Sequence, residues 1–344
     1  LHLGYMNHAK KRVLFHRSWT GYDGGTSGGQ LKVRDAFEHI KHSDQYYPAV
    51  YFGQETVWHD NPGNYWHPYR ENALQKWEIK ADDVLFFSGK DWKILDRTTA
   101  QRPPVPIINI AQPRHTRPED PRHSYLHYPA IRIAKSSIGK QILEDFGVNG
   151  PVFLIPDAID FSLIPSPKPD PTYDLLIVGL KNPVLAQALY KKLRQYSRWR
   201  WKRWKIKIQV PPKLPTRADF LNLVNDSKTV VFLPLDAERG AEGFYLPALE
   251  AMVMEKLVVC PKAVGNVDFC LPGKTCLQPD YQLEDLFDTT IKALRMSPQE
   301  RQNIIAGGRA ISENHRIETE RTALLELLHQ ADEIWQDDSL FKTR

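Results

Sequence analysis

Short apolar runs recur along the chain, each bounded by turn residues. In the first half these are Val13-Leu14-Phe15-His16, Ala49-Val50-Tyr51-Phe52, Val84-Leu85-Phe86-Phe87, Ile107-Ile108-Asn109-Ile110, Ile131-Arg132-Ile133-Ala134 and Val152-Phe153-Leu154-Ile155. Near-continuous apolar runs of this length suit strands buried on both faces, as in parallel sheets. Helix-like stretches separate several of them, which predicts repeated crossover units. Residues 165–171, Pro-Ser-Pro-Lys-Pro-Asp-Pro, then break the rhythm and read as an extended linker. It restarts with Asp174-Leu175-Leu176-Ile177-Val178 and continues with strands at 206–210, 229–233 and 257–260. The pattern predicts two α/β, doubly wound, Rossmann-like domains facing a cleft. The first covers residues 1–160 and the second 161–317. Leu324, Leu327, Leu328, Ala331, Ile334 and Trp335 share a helical face, so residues 318–344 form a tail whose helix needs a packing surface. The first domain is the surface expected.

Length and composition agree with this division. A chain of 344 residues exceeds what a single core ordinarily supports, and 42% hydrophobic content is that of a globular protein. The net charge of +5 suits an anionic small ligand and is too weak to indicate nucleic acid. Cys260, Cys270 and Cys276 form neither a CxxC pair nor an even set, so no disulfide framework or zinc site is expected. No run approaches the ~20 apolar residues of a membrane span. The N-terminal residues lack the apolar core of a secretory signal. A cytoplasmic protein is expected, with association at a membrane surface left open.

The segment with the most chemistry is Glu242-Gly243-Phe244-Tyr245-Leu246-Pro247-Ala248-Leu249-Glu250, followed by Ala251-Met252. One carboxylate precedes a predicted helix and the other lies about two turns inside it. Amides at such a helix start can face a diphosphate, and the carboxylates can accept hydrogen bonds from sugar hydroxyls. The spacing alone also fits an amphipathic helix with two solvated glutamates. In the first half, Thr20-Gly-Tyr-Asp-Gly-Gly-Thr-Ser-Gly-Gly-Gln30 joins the first strand to the first helix. Gly28 and Gly29 there permit close backbone approach, although the loop is neither GxGxxG nor a P-loop and fits an unliganded turn equally well. Arg114, His115 and Arg117 follow another strand end.

Together these segments resemble the retaining glycosyltransferases of GT-B fold in the large sucrose-synthase-like family, with their Glu-x7-Glu motif. Glu242, Gly243, Phe244, Leu246, Pro247, Leu249, Glu250, Ala251, Met252, Val258 and Val259 match that motif in order. The resemblance implies a metal-independent hexosyl transfer from a nucleoside-diphosphate sugar to a glycan or glycan-lipid acceptor, with retention, as in polysaccharide biosynthesis. No cofactor besides the nucleotide-sugar co-substrate is expected. Glu242 would contact the donor sugar and Glu250 the ribose. His115 would assist at the reacting sugar, while Arg114 and Arg117 would face the acceptor. Gly28, Gly29, Gly179, Gly243, Phe244, Tyr245 and Leu246 would line the donor site. Lys181 would meet the phosphates, and Arg239 would stand in for the second cation that the family places a few residues on. Tyr245 replaces the family's second loop glycine, and Glu255 and Leu257 replace its Gly and Pro before the Val-Val strand. Donor identity therefore does not carry over. Ile155-Pro-Asp-Ala-Ile-Asp160 resembles the interdomain crossover.

Two other readings stay open. One is a nucleotide-sugar epimerase on the same fold. The other is a non-catalytic binder of nucleic acid or anionic surfaces through Arg198, Trp199, Arg200, Trp201, Lys202, Arg203, Trp204 and Lys205. For that stretch the reading preferred here is tryptophans packed inward beneath solvated cations, with peripheral membrane contact second and no nucleic acid expected.

Overall fold

The computed structural model describes residues 10–201, 203–235 and 241–342. The strands are β1 (Lys11–Arg17), β2 (Tyr46–Phe52), β3 (Val84–Ser88), β4 (Ile107–Ile110), β5 (Ile131–Ala134), β6 (Val152–Leu154), β7 (Tyr173–Val178), β8 (Ile206–Gln209), β9 (Ser227–Phe232) and β10 (Leu257–Val259). They build two parallel sheets, ordered β2-β1-β3-β4-β5-β6 and β10-β9-β7-β8. Each apolar run named above is a strand. The burial is two-sided, as β1 and β3 show: Val13, Leu14, Phe15, Val84, Leu85 and Phe87 are completely buried.

The helices are α1 (Gly28–Lys41), α2 (Arg97–Gln101), α3 (Ser137–Phe146), α4 (Pro183–Trp199), α5 (Arg217–Asn225), α6 (Leu246–Val253), α7 (Leu283–Arg295), α8 (Pro298–Ser312) and α9 (Ile317–Gln336). In the second domain, α5 and α6 cover one face of the sheet. Helices α4, α7 and α8 cover the other. The sheet is thus sandwiched as a doubly wound fold requires.

The tail helix α9 puts Leu324, Leu327, Leu328, Ala331 and Trp335 into the core of the first sheet. Each such leucine contributes about 1.5–3 kcal/mol of transfer free energy. The chain therefore crosses between domains twice, and the crossings are paired. Ile159 donates to the His315 carbonyl at 2.8 Å, and Ile317 donates to the Ile159 carbonyl at 3.0 Å. A buried charge cluster fastens this junction. Lys32 of α1 donates to Glu320 of α9 (2.5 Å) and to the Ala158 carbonyl (2.9 Å). Lys135, just past β5, sits 2.9 Å from Asp157 and 3.3 Å from Glu320. Burial alone would raise the Glu320 pKa, but Lys32 and Lys135 outweigh it and hold the carboxyl well below its usual range. Among the described residues no helix is long and apolar enough to cross a membrane.

Candidate functional site

A cleft of about 330 Å³ lies between the domains, at the carboxyl ends of strands from both sheets. Its first-domain wall is the loop between β1 and α1 together with residues 61–65. Its second-domain wall comes from the segments after β7 and β8 and from the start of α6.

Helix α1 begins at Gly28, three residues earlier than the apolar pattern alone places it, because Ser27 caps it by accepting from the Gln30 amide. That leaves the amides of Gly28 and Gly29 among the uncapped donors of the first turn. Gly28 is exposed, and a Cβ there would stand 4.0 Å from Leu246 Cδ1, the first residue of α6. The first turns of two helices, one from each domain, thus meet at the cleft, which Gly28 and Leu246 both line. Both present partial positive charge to the same space. Tyr245, the residue before α6, offers no side-chain cap, so the first-turn amides of α6 remain uncapped except at Pro247, which has none.

The loop before α1 is held in place by a second loop. Asn61 donates to the Tyr22 carbonyl (2.8 Å), Tyr65 donates to the Gly25 carbonyl (3.1 Å), and Asn64 donates to the Gly24 carbonyl (3.3 Å). Gly25 has φ +82°, and a Cβ there would meet the Asn64 side chain at 2.4 Å. Only glycine fits that position.

On the opposite wall Glu250 is 3% exposed and pairs with Arg217, the first residue of α5. Burial of Arg217 works to lower its pKa, and Glu250 more than offsets this, so the guanidinium holds its proton more strongly than usual. Arg217 is positioned by Thr216, which caps α5 by accepting from the Asp219 amide at 3.1 Å. Lys181 and Lys213 both line the cleft and are exposed. Neither has a carboxylate partner among the described residues.

The expected residues divide into three groups. Gly28, Lys181, Tyr245, Leu246 and Glu250 line the cleft. Glu242 stands beyond it, half-buried, with Oε1 accepting from the Leu235 amide at 3.1 Å. The neighbouring Gly243 is close against first-domain Gln112, whose Cγ would lie 3.1 Å from a Cβ at that glycine. Arg114 feels the Glu242 charge, although burial and then Arg122 dominate and lower the arginine's pKa. Glu242, Gln112 and Arg114 therefore share the interdomain boundary next to the cleft.

His115 is buried beside them, and burial followed by the Arg122 charge lowers its pKa to about 3. Its Nδ1 accepts from the Gln112 amide at 3.3 Å, which assigns the neutral ring's proton to Nε2. Among the described residues that Nε2 has no hydrogen-bond partner.

The remaining expected residues serve the fold or lie apart. Gly179 is a packing position, since a Cβ there would meet Ala186 Cβ at 2.1 Å. Phe244 turns toward Phe269 and His315 rather than into the cleft. Gly29 and Arg117 do not line the cleft, and Arg239 lies outside the described residues. No group of three or more potential metal ligands occurs among the described residues.

Lys213, Arg217, Asn61 and Tyr65 were not expected from the sequence. A signal existed for Arg217: Thr216-Arg-Ala-Asp219 is a capping box, which predicts a helix start, and it follows a strand end. Tyr65 lies across from Arg217 and Glu250. Burial raises its hydroxyl pKa, with Arg217 opposing and Glu250 adding to the rise.

Neither a family profile nor a curated protein sequence matches the chain. Solved structures do. Sucrose-phosphate synthase from Thermosynechococcus elongatus superposes with a TM-score of 0.65 at 12% identity, covering 93% of this chain and 99% of that one. Anabaena HepE in complex with UDP and glucose gives 0.64 at 13%, covering 92% and 99%. A UDP-N-acetylglucosamine 2-epimerase gives 0.57 at 12%, covering 94% and 98%. The fold is the two-domain GT-B architecture of these enzymes.

Proposed function

We propose that the chain is a glycosyltransferase that takes a nucleoside-diphosphate sugar into this cleft and passes the sugar to a glycan or lipid-linked glycan acceptor. The observation that carries the reading is the meeting of two helix N-termini over a space that also holds Lys181, Lys213 and the Glu250–Arg217 pair. A diphosphate is the ligand whose charge suits the amides and lysines, since it gains negative charge as the sugar departs. Glu250, fixed by Arg217, accepts hydrogen bonds from the ribose hydroxyls. Tyr65 and Phe220 supply flat apolar surface next to it.

Glu242 orients the transferred sugar from the boundary beside the cleft, and the His115 Nε2–H donates to one of its hydroxyls. The ring is neutral near pH 7, so it acts as a hydrogen-bond donor and not as an acid. A retaining outcome follows from the Glu-x7-Glu resemblance, and the phosphate charge is met by Lys181, Lys213 and the helix amides. Closure of the two domains over the substrate excludes water and limits donor hydrolysis.

The test is a transfer assay with radiolabelled UDP-glucose, other UDP and GDP sugars, and a panel of glycan acceptors. Product is expected with the wild-type protein, and its rate of formation is expected to fall about 10²–10³-fold with Glu242→Ala. Full activity in that variant overturns the assignment. The likeness to an epimerase supports a second reading, an isomerisation at the same donor site. Donor supplied alone separates the two: an isomerised sugar in the absence of acceptor favours the epimerase.

A further inference from the structure

The end of α4 carries a surface that the cleft does not use. Residues 191–207 contain nine lysines and arginines and no aspartate or glutamate. Trp199 is 70% exposed and Trp201 is 91% exposed, against the inward packing expected of all three tryptophans. Trp204 alone follows that expectation: it is half-buried and stacks on Tyr196 with ring centroids 6.3 Å apart. Arg200 lies over the Trp199 ring at 4.4 Å, so cation and aromatic form one unit. Arg198, Arg200 and Arg203 are exposed, and among the described residues none has a carboxylate partner. Helix α4 starts at the cleft and runs for 17 residues, which places this surface about 25 Å from it.

Lys192 is paired with Glu284, but two exposed indole rings beside three arginines that have no carboxylate partner among the described residues serve no purpose in the fold. Exposing them forgoes the burial that large apolar groups otherwise gain. The occupant that matches is a plane combining negative charge with an accessible apolar layer. We infer that this end of the second domain docks on an anionic lipid bilayer, with Trp199 and Trp201 seated at the headgroup level and Arg198, Arg200 and Arg203 on the lipid phosphates. Indole suits that interface, being apolar with one N–H, and each cation near an anionic surface contributes about 1 kcal/mol. Single-stranded nucleic acid also stacks on aromatics. However, it tracks a groove lined by successive rings, and here the rings stand at a protruding helix end. The inference is independent of the chemistry proposed for the cleft.

The test is co-sedimentation of the full chain with vesicles of 30% phosphatidylglycerol in phosphatidylcholine, with phosphatidylcholine vesicles and a single-stranded oligonucleotide as comparisons. The wild-type protein is expected to sediment with anionic vesicles and not with neutral ones. Trp199→Ala/Trp201→Ala is expected to lower the partition coefficient about tenfold, and Arg198→Gln/Arg200→Gln/Arg203→Gln about 100-fold at low salt. Both variants alter exposed side chains, and unchanged melting temperatures establish that they are folded. The inference is overturned if the wild-type protein ignores anionic vesicles, if the variants sediment like it, or if the oligonucleotide binds more tightly than the vesicles.

Discussion

The two walls of the cleft present the same kind of charge by different means. The second-domain wall adds side chains to the α6 helix start: Glu250 locked to Arg217, with Lys181 and Lys213 free to reach a ligand. The first-domain wall uses backbone: the first amides of α1, held where they are by asparagines in a neighbouring loop. The difference lies in what each can tolerate. A side-chain wall loses function when one residue is truncated. A backbone wall loses it only when the loop cannot form. Substitution therefore distinguishes the walls, and the expected effects fall in order.

The largest belongs to Glu242→Ala at the boundary, which is expected to lower the transfer rate about 10²–10³-fold. Its melting temperature should stay near that of the wild type, since the side chain is only half-buried and one amide contact is lost. Steady-state kinetics with a saturating donor checks this. Glu250→Ala comes next. It leaves the Arg217 guanidinium, one-fifth exposed, without its counter-charge and is expected to cost about 2 kcal/mol of stability, somewhat under the range for a fully buried pair. It should also weaken nucleotide binding about tenfold. Arg217→Ala/Glu250→Ala should cost less than the two single losses added, as the partners share one interaction. Urea denaturation and calorimetry measure both quantities.

On the backbone wall the contrast is between neighbouring glycines. Gly25→Ala forces a left-handed residue against Asn64 and is expected to cost about 1–3 kcal/mol. Gly28→Ala has room and sits in the first turn of a helix, so its stability change should stay within about 0.5 kcal/mol.

The smallest effect is a pH dependence. His115 titrates near 3 in the folded chain and near 6.5 when unfolded. Between those values the unfolded chain binds the extra proton, so this residue's effect on stability grows more unfavourable as the pH falls below about 6.5. His115→Gln should therefore flatten the acid limb of a stability–pH curve and leave its neutral part in shape unchanged.

The two walls were also unequally legible. The second-domain wall was legible in part because Glu242 to Glu250 forms a linear motif, and the fold places Tyr245, Leu246 and Glu250 at the cleft. Arg217 is not legible because its partner is 33 positions away and only the return of α5 beside α6 joins them. Strands were readable throughout, since burial on both faces leaves nearly uninterrupted apolar runs. The outward tryptophans were not, because Trp199, Trp201 and Trp204 alternate with cations in the same way whether they face in or out. Only the end of α4 at Trp199 and the left-handed turn at Trp201 (φ 55°) separate the first two from the third.

The central claim is that the diphosphate of a nucleotide ligand lies between the two helix starts, against Lys181 and Lys213. Isothermal calorimetry with UDP, GDP and ADP and with the matching nucleosides, on the wild-type protein and on Lys181→Ala/Lys213→Ala, measures it directly. One site per chain is predicted, for UDP or, where UDP does not bind, for GDP or ADP, weakened about 100-fold in the double variant at roughly tenfold per charge-assisted contact, with the matching nucleoside binding the same in both. Nucleoside-diphosphate binding that is indifferent to the loss of both lysines contradicts the claim, as does a wild-type chain that takes up no UDP, GDP or ADP.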